Sequence, residues 1–231
     1  MRGRVPARMT MKLLSNSFGD GGVIPVRFAF GKIDVSSHVT LSDNCNPHLA
    51  WSDFPPQTRS FAVVCHDYDV PSQPDDVNQE GREVPASLPR VDFFHWVLVD
   101  VPVSVTVVAE SEHSHQVTPK GKSGPEARGG SRHGVNDYTQ WFASDHDMRG
   151  DYFGYDGPCP PWNDSILHHY VFTVYALDVE SLPLEGRFDG RQALEAIRLH
   201  AVDQASISGV YSLNPRVAGQ LEATHGQGSS A

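Results

Sequence analysis

The segment Tyr155-Asp-Gly-Pro-Cys-Pro-Pro161 is followed, six residues later, by His168-His-Tyr-Val-Phe-Thr-Val-Tyr-Ala-Leu177. The second part is largely apolar or aromatic on both alternating faces, which predicts a central strand covered on both sides. The first part is a loop stiffened by prolines, which have a fixed φ and no N–H group. We therefore expect a rigid loop that delivers His168 and Tyr170, on one face of the strand, to the rim of a sheet.

The proline-rich loop leaves two backbone donors, the amides of Gly157 and Cys159 on either side of Pro158. Gly157 has no Cβ, so a ligand can approach its backbone closely. A stiff loop with two available amides suits an oxyanion, because little loop entropy is lost on binding. The loop alone is equally typical of a plain proline-rich turn, so other residues must support a site.

Two apolar strands upstream carry polar side chains. The strand expected at Phe61–Cys65 runs into Asp67 and Asp69, which fall on the same side of an extended segment. The strand expected at Phe93–Pro102 contains one histidine, His95. A buried histidine costs free energy unless it is hydrogen-bonded, so His95 is a candidate site residue.

These motifs occur in a fixed order along the chain: Asn44-x-Asn46-Pro47, Asp67-x-Asp69-x-Pro71, His95-Trp96, Tyr155-x-Gly157-Pro158-Cys159-Pro160-Pro161, His168-x-Tyr170 and Gly209-x-Tyr211. The ordered set resembles the phosphatidylethanolamine-binding protein family, and within it the bacterial branch named for similarity to Raf kinase inhibitor protein. The resemblance implies one small cavity surrounded by a ligand-binding set, namely Asp67, Asp69, His95, Tyr155, Gly157, Pro158, Cys159, His168 and Tyr170.

Many short strands, long loops and one late helix predict a mainly antiparallel β-sandwich with peripheral helices and long loop insertions, which is also the fold of the resembled family. We expect one domain at residues 11–216, a flexible leader at 1–10 and a flexible tail at 217–231. Insertions are expected at 72–92 and 138–153. The second is aromatic, and packing over the sheet, a lid and a partner surface are all open for it.

Other elements follow from local patterns. Further strands are expected at Val23–Phe30, Val35–Leu41 and Val103–Ala109, and a helix at Asp189–Asp203. Asp189 and Gln192 match a capping box at the start of this helix. The helix contributes packing rather than chemistry.

Composition excludes several classes of function. The net charge of −10, without basic runs, argues against nucleic-acid binding, which depends on phosphate neutralisation, and against attraction to an anionic membrane. No apolar run reaches transmembrane length, so stable membrane insertion is not expected. Cys45, Cys65 and Cys159 are far apart and form no Cys-x-x-Cys pair, which predicts reduced thiols in a cytoplasmic protein.

Three histidines, His113, His115 and His133, lie in a polar segment. The segment has no cysteine partner and no helical frame, so a solvated loop is expected there rather than a metal site. We expect no metal and no cofactor.

The implied cavity should take a small anion, such as the phosphate of a phospholipid head group or of a phosphorylated residue. His95 and His168 would donate to the anion, and a bound phosphate would favour their charged forms, with Tyr170 as a neutral donor. Asp67 is either protonated or orients a histidine or a ligand ammonium. Asp69 braces the loop through backbone N–H groups.

The resembled family consists largely of binding and regulatory proteins, which predicts a kinase- or protease-inhibitor-like binding protein rather than an enzyme. The alternative is a small-molecule hydrolase or lyase that uses His168 or Cys159. No Gly-x-Ser-x-Gly, P-loop or His-Glu-x-x-His motif supports that alternative. The resemblance also implies a kinase or protease as target, and a homodimer, because bacterial members are often dimeric.

Overall fold

A computed structural model describes residues 10–226, so most of the expected leader and residues 227–231 of the expected tail lie outside it. The described residues form eleven strands: β1 (Lys12–Leu14), β2 (Gly22–Val23), β3 (Gly31–Asp34), β4 (His38–Leu41), β5 (Leu49–Ser52), β6 (Ser60–Pro71), β7 (Arg90–Pro102), β8 (Val107–Val108), β9 (Arg132–His133), β10 (His168–Leu177) and β11 (Ala201–Tyr211). The helices are α1 (Tyr138–Trp141), α2 (Gly190–His200) and α3 (Pro215–Gly226).

The largest sheet has six strands in the order β2-β11-β10-β6-β7-β9. All its neighbours are antiparallel except β2 and β11, which run parallel. A three-stranded sheet, β1-β5-β8, and the hairpin β3–β4 complete the β structure of the described chain. The predicted mainly antiparallel β-sandwich with peripheral helices is therefore confirmed.

Both faces of the six-stranded sheet are covered. One face packs on the small sheet, through a core that includes Trp51 of β5 and Phe61 of β6. The other face packs on α2, where Ala193 and Ile197 are fully buried against Val64 and its neighbours. Strand β10 lies between β6 and β11 and is buried on both faces over much of its length, as its apolar pattern predicts.

Local predictions have mixed outcomes. The capping box of Asp189 and Gln192 is present at the start of α2. The strand predicted at Val23–Phe30 is wrong: the structure has only the two residues of β2 and a 3-10 turn at Val26–Phe28. Pro25 directly before that turn has no N–H group to donate to a ladder, which explains why strand pairing stops there.

Two further predictions about chain segments need correction. The strand expected at Val103–Ala109 is reduced to β8, and the helix expected to reach Asp203 ends at His200, where β11 begins at once. Helix α3 extends into the segment expected to be a flexible tail. Among the helices of residues 10–226, none is long and apolar enough to cross a membrane.

Candidate functional site

A cavity of about 230 Å³ lies at the ends of β6, β7 and β10 in the six-stranded sheet. Four of the predicted site residues line it: Asp67, His95, Cys159 and Tyr170. The loop between β6 and β7, together with helix α1 and the residue after it, supplies half of the remaining lining residues. The cavity therefore combines a polar end built by three strands with sides built by the two regions expected to be insertions.

Strand register explains how the polar end forms. Asp67 of β6 lies directly opposite Tyr170 of β10 in an antiparallel pair, which places their side chains on the same face of the sheet. His168 is two residues before Tyr170 and therefore also points to this face. Asp67 meets His168 and Tyr170, which lie about 100 positions later in the sequence, because the ladder has this register.

A β-bulge positions the histidine of β7. Cys65 of β6 pairs with Trp96. The next residue, His66, pairs with Phe94, so His95 is the extra residue of β7 at this point. A bulge re-aims a side chain, and His95 packs edge-on against the ring of the cavity residue Tyr170, with 5.1 Å between the ring centroids.

The Tyr170 hydroxyl is a buried polar group without a hydrogen-bond partner. The side chain is fully buried, and burial followed by the negative charge of Asp67 raises the pKa of Tyr170 well above its usual value of about 10. Asp67 lies close enough to act on the hydroxyl through its charge and a weak side-chain contact, both of which raise this pKa, but the two groups do not reach hydrogen-bond geometry. Of the buried side-chain polar atoms in residues 10–226 that lack a partner, only this hydroxyl belongs to a cavity-lining residue.

His95 presents one ring nitrogen to the cavity. Its Nδ1 lies 2.8 Å from the carbonyl oxygen of Asp156, and a carbonyl only accepts, so Nδ1 carries the hydrogen. Burial lowers the pKa of His95, although Asp67 acts in the opposite direction. The ring is therefore neutral at neutral pH, and Nε2, which no described residue bonds, is an unprotonated acceptor.

His168 is placed differently from the expectation. Its Nδ1 is 2.6 Å from Asp67 Oδ2, and its Nε2 is 3.1 Å from Asp164 Oδ2. Burial alone would lower the pKa of His168, but Asp67 and Asp164 outweigh it and raise this pKa to about 9. His168 is fully buried and uses both ring hydrogens, so it does not line the cavity and has none left for a ligand.

Asp164 extends this chain of charges to the surface loop. The two terminal nitrogens of Arg90 donate to the two carboxylate oxygens of Asp164 at 2.6 and 3.1 Å. Arg90 also donates to the carbonyl oxygens of Asp69 and Pro85. Asp67, His168, Asp164 and Arg90 thus form a charge-balanced row that holds the Asp67 carboxylate in place.

Three predicted site residues are structural instead. The Tyr155 hydroxyl donates to the carbonyl oxygen of Phe28 at 2.7 Å and is fully buried. The Gly157 amide was expected to be free for an oxyanion, and this is wrong: it donates to Asn44 Oδ1 at 2.8 Å. The Pro158 carbonyl accepts from two backbone amides of the β3 region. None of the three lines the cavity.

The glycine is nevertheless required. A Cβ at Gly157 would lie 2.0 Å from the carbonyl oxygen of Phe28, a distance that no side chain tolerates. The absent side chain therefore serves close packing of the loop on the core, rather than the approach of a ligand.

Asp69 and Cys159 complete the predicted set. Asp69 lies beside the cavity and accepts from the backbone amide and Nδ1 of His169 at 2.9 and 2.8 Å, so it braces β10. Cys159 lines the cavity, and no described residue accepts a hydrogen bond from its amide. Burial raises the pKa of its thiol to about 12, so the sulfur is an unreactive thiol at neutral pH.

A second buried carboxylate lies next to the cavity. Asp156 accepts from Asn44 Nδ2 and Lys122 Nζ at 2.7 Å each, and from Asn136 Nδ2 at 2.8 Å. Burial raises the pKa of Asp156, while Lys122 and the two amides act to lower it. Its backbone bonds to that of His95, so this network fixes the bulge that aims His95.

Some residues that position the loop part of the cavity wall were not predicted from the sequence. Asn163 donates from its side chain to the carbonyl oxygen of Asp76 at 2.8 Å and accepts from the amide of Asn78 at 2.9 Å. Asn78 itself lines the cavity. Asn163 lies in the connector before β10, where no motif marks it; only its place next to Asp164 could have drawn attention.

The histidines of the polar segment are not gathered into a metal site. His113 and His133 are in contact, with 3.2 Å between Nδ1 and Nε2, and burial lowers the pKa of His133 to about 3. Within residues 10–226 no group of three or more metal-ligating side chains is found. Cys45, Cys65 and Cys159 are all unpaired thiols.

Comparisons with known proteins place the chain among its relatives. Residues 14–212 match the family model described as phosphatidylethanolamine-binding protein. The UPF0098 protein YbhB of Escherichia coli K12 is 29% identical over 202 residues, which are 87% of this chain and 100% of that protein. A UPF0098 protein of Methanothermobacter thermautotrophicus is also 29% identical, over 87% of this chain and 98% of its own.

Solved structures show the same fold. The crystal structure of YbcL from Escherichia coli is described as that of a new member of the mammalian phosphatidylethanolamine-binding protein family. It has a TM-score of 0.61 and 25% identity, over 87% of this chain and 98% of its own. A Chlamydia trachomatis protein described as a phosphatidylethanolamine-binding protein homologue has a TM-score of 0.58 and 24% identity, over 88% and 98% of the two chains.

Proposed function

The chain belongs to the phosphatidylethanolamine-binding protein family, and from this premise we propose that it is a binding protein whose cavity holds the phosphate group of a small ligand or lipid head group. The observation that carries the proposal is the fully buried Tyr170 hydroxyl, which has no hydrogen-bond partner and belongs to a residue that lines the cavity. An unpaired buried hydroxyl costs free energy, and a ligand oxygen would remove that cost.

The polar end supplies complementary contacts for a phosphate. Tyr170 and the Cys159 amide are donors, and neutral His95 offers Nε2 as an acceptor. A phosphate monoester has a second pKa of about 6, so its monoanion carries one acidic proton that binding can retain. One proton between His95 Nε2 and a phosphate oxygen completes a charge-assisted hydrogen bond. Asp67 remains an acceptor for an ammonium, as in an ethanolamine head group.

Two observations count against the hydrolase or lyase alternative. His168 has both ring nitrogens bonded to carboxylates and no exposed surface, so it can neither reach a substrate nor exchange a proton with one. The Cys159 thiol has a pKa of about 12, whereas a nucleophilic cysteine needs a lowered pKa. A regulatory role, a kinase or protease target, a homodimer and a cytoplasmic location stay predictions.

Calorimetric titration with phosphoethanolamine tests the proposal. We expect one saturable site in the wild type and at least about tenfold weaker binding in His95→Gln, because a hydrogen bond to a charged group contributes about 1.5–3 kcal/mol. His66→Gln is the matched control, since His66 lies on the neighbouring strand and does not line the cavity.

Thermal unfolding of both variants checks that they fold, and Tyr170→Phe replaces His95→Gln if the latter does not. A wild type without saturable binding contradicts the proposal. Equal affinity of wild type and the cavity variant contradicts it as well. Turnover of generic phosphate or carboxylic esters that disappears in Cys159→Ser supports the enzyme alternative instead.

A further inference from the structure

We propose that the cavity is shaped for a phosphate monoester whose alcohol part is an aromatic ring. This inference rests on the proposed function for the polar end and assigns the other half of the ligand. It comes from the size of the cavity, from the side chains that form its sides, and from the way those sides are held.

The cavity is larger than a phosphate group requires. An apolar cavity of about 150 Å³ is enough to hold benzene, and this cavity measures about 230 Å³. Asp67, His95 and Tyr170 form the polar end, and most of the other lining residues have apolar side chains. The remaining volume therefore accommodates a ring attached to the phosphate.

The sides of the cavity are apolar and mostly flat. Phe93, Trp141 and Phe142 contribute rings, and Pro74 and Val77 from the loop between β6 and β7 contribute rigid or branched groups. We call these five residues the apolar wall. Flat rings pack well against a second ring, whereas a flexible alkyl chain would lose rotamer freedom on entering. The wall therefore favours an aromatic group.

The apolar wall is held in position from both sides. Its loop part is tied down by Asn163 through the bonds to Asp76 and Asn78. Its helix part is fixed by Tyr138, whose hydroxyl donates to the Gly157 carbonyl at 2.8 Å and whose ring stacks on Phe30 with 4.5 Å between the centroids. A wall that is already ordered loses little entropy when a ligand binds.

Trp141 is the most exposed aromatic side chain of the apolar wall. Its side chain lines the cavity yet is 48% exposed, although large aromatic side chains are normally buried to a greater extent. It also lines the neighbouring groove that continues from the cavity past Val91 and Arg191. A ligand ring at this position would cover part of the exposed indole.

The test compares phenyl phosphate, hexyl phosphate, phosphoethanolamine and the neutral probe benzyl alcohol by calorimetry. We expect phenyl phosphate to bind about tenfold or more tightly than phosphoethanolamine in the wild type. Trp141→Ala should remove this advantage by weakening the binding of phenyl phosphate much more than that of phosphoethanolamine, while Trp141→Phe retains most of it. Leu199→Ala, an exposed apolar position on α2, is the control and should change neither affinity.

The outcomes separate this inference from the proposed function. If phosphoethanolamine binds and phenyl phosphate binds no more tightly, or if hexyl phosphate equals phenyl phosphate, the aromatic assignment is overturned and the phosphate site stands. If no phosphate compound binds but benzyl alcohol binds and Trp141→Ala abolishes that binding, the proposed phosphate site is overturned. Binding of an aromatic ring at the apolar wall is then supported. If none of the four binds, both are overturned.

Discussion

Two buried polar clusters lie side by side in this protein, and they differ in one respect. Around Asp156 the carboxylate meets three donors, from Asn44, Lys122 and Asn136. Around Tyr170 the hydroxyl has no partner, and the neighbouring His95 keeps Nε2 free of any bond from the described chain. The backbones of Asp156 and His95 join the two clusters.

We interpret the first cluster as a network that stabilises the fold and the second as part of the proposed ligand site. Buried polar groups in native proteins are nearly always hydrogen-bonded, so the saturated cluster is the ordinary case. A partly satisfied cluster costs stability, and the cost is explained when a ligand supplies the missing contacts. Substitutions in the first cluster should therefore act mainly on stability, and those in the second mainly on binding.

The largest effect is expected from Asp156→Ala. The substitution leaves the Lys122 ammonium and the two asparagine amides without their acceptor in a buried site. Removing one partner of a buried ion pair typically costs about 3–5 kcal/mol, and we expect a loss of that size in urea unfolding. Asp151→Ala is the control, because its ion pair with Arg187 is half exposed and such pairs contribute about 1 kcal/mol or less. Equal losses of unfolding free energy in the two variants would contradict a stabilising role for the Asp156 cluster.

The next effect is the pH dependence that His168 gives to stability. Its folded pKa of about 9 lies above the ordinary value of about 6.5, so the folded protein keeps a proton that the unfolded chain releases. This stabilisation is complete below about pH 6.5 and is lost as the pH rises through about 9.

We expect a contribution on the order of 3 kcal/mol, because one pKa unit corresponds to about 1.4 kcal/mol. Denaturant unfolding of wild type and His168→Gln across this window measures it as the difference between the two curves. His146→Gln is the control, because His146 and its partner Asp147 are both exposed. Its stability should depend on pH as that of the wild type does. Parallel curves for wild type and His168→Gln would show that His168 is not held charged.

The sequence was sufficient for the parts of the fold that carry strong local patterns. The strand at β10 is apolar on both faces, and the box of Asp189 and Gln192 marks the start of α2. Strand β11 was missed because its first half, Ala201–Ser206, is small, polar and partly exposed, so no alternation of apolar residues is visible. Pairing with β10 makes it a strand, and pairing is not a local property.

The site was predictable only where a motif names the residue. Asp67, His95, Cys159 and Tyr170 were assigned through the family resemblance, and they line the cavity. Asp164, the second carboxylate partner of His168, lies in a connector that no motif marks. The two bonds of the His168 ring and its burial could therefore not be predicted from the sequence. Side-chain hydrogen bonds between distant segments determine which residues of a motif line the cavity.

A smaller effect concerns phosphate binding and pH. Above about pH 7 a free phosphate monoester is mainly a dianion and His95 is neutral, yet the complex shares one proton between them. Binding should therefore take up about one proton, and the affinity should fall about tenfold per pH unit between pH 7 and 8. Calorimetry in two buffers of different ionisation enthalpy measures the uptake, and His95→Gln should abolish it. Binding without proton uptake would show that His95 does not contact the phosphate.

The most direct measurement pairs two fully buried tyrosines, one in the cavity lining with an unpaired hydroxyl and one outside the lining with a bonded hydroxyl. Tyr170→Phe removes an unpaired hydroxyl and should raise the free energy of unfolding by about 1 kcal/mol, while phosphoethanolamine binds about tenfold or more weakly. Tyr155→Phe removes a hydroxyl bonded to Phe28 and should lower stability by about 1 kcal/mol with unchanged affinity. If Tyr170→Phe lowers stability and leaves affinity intact, the cavity is not a site that a ligand completes.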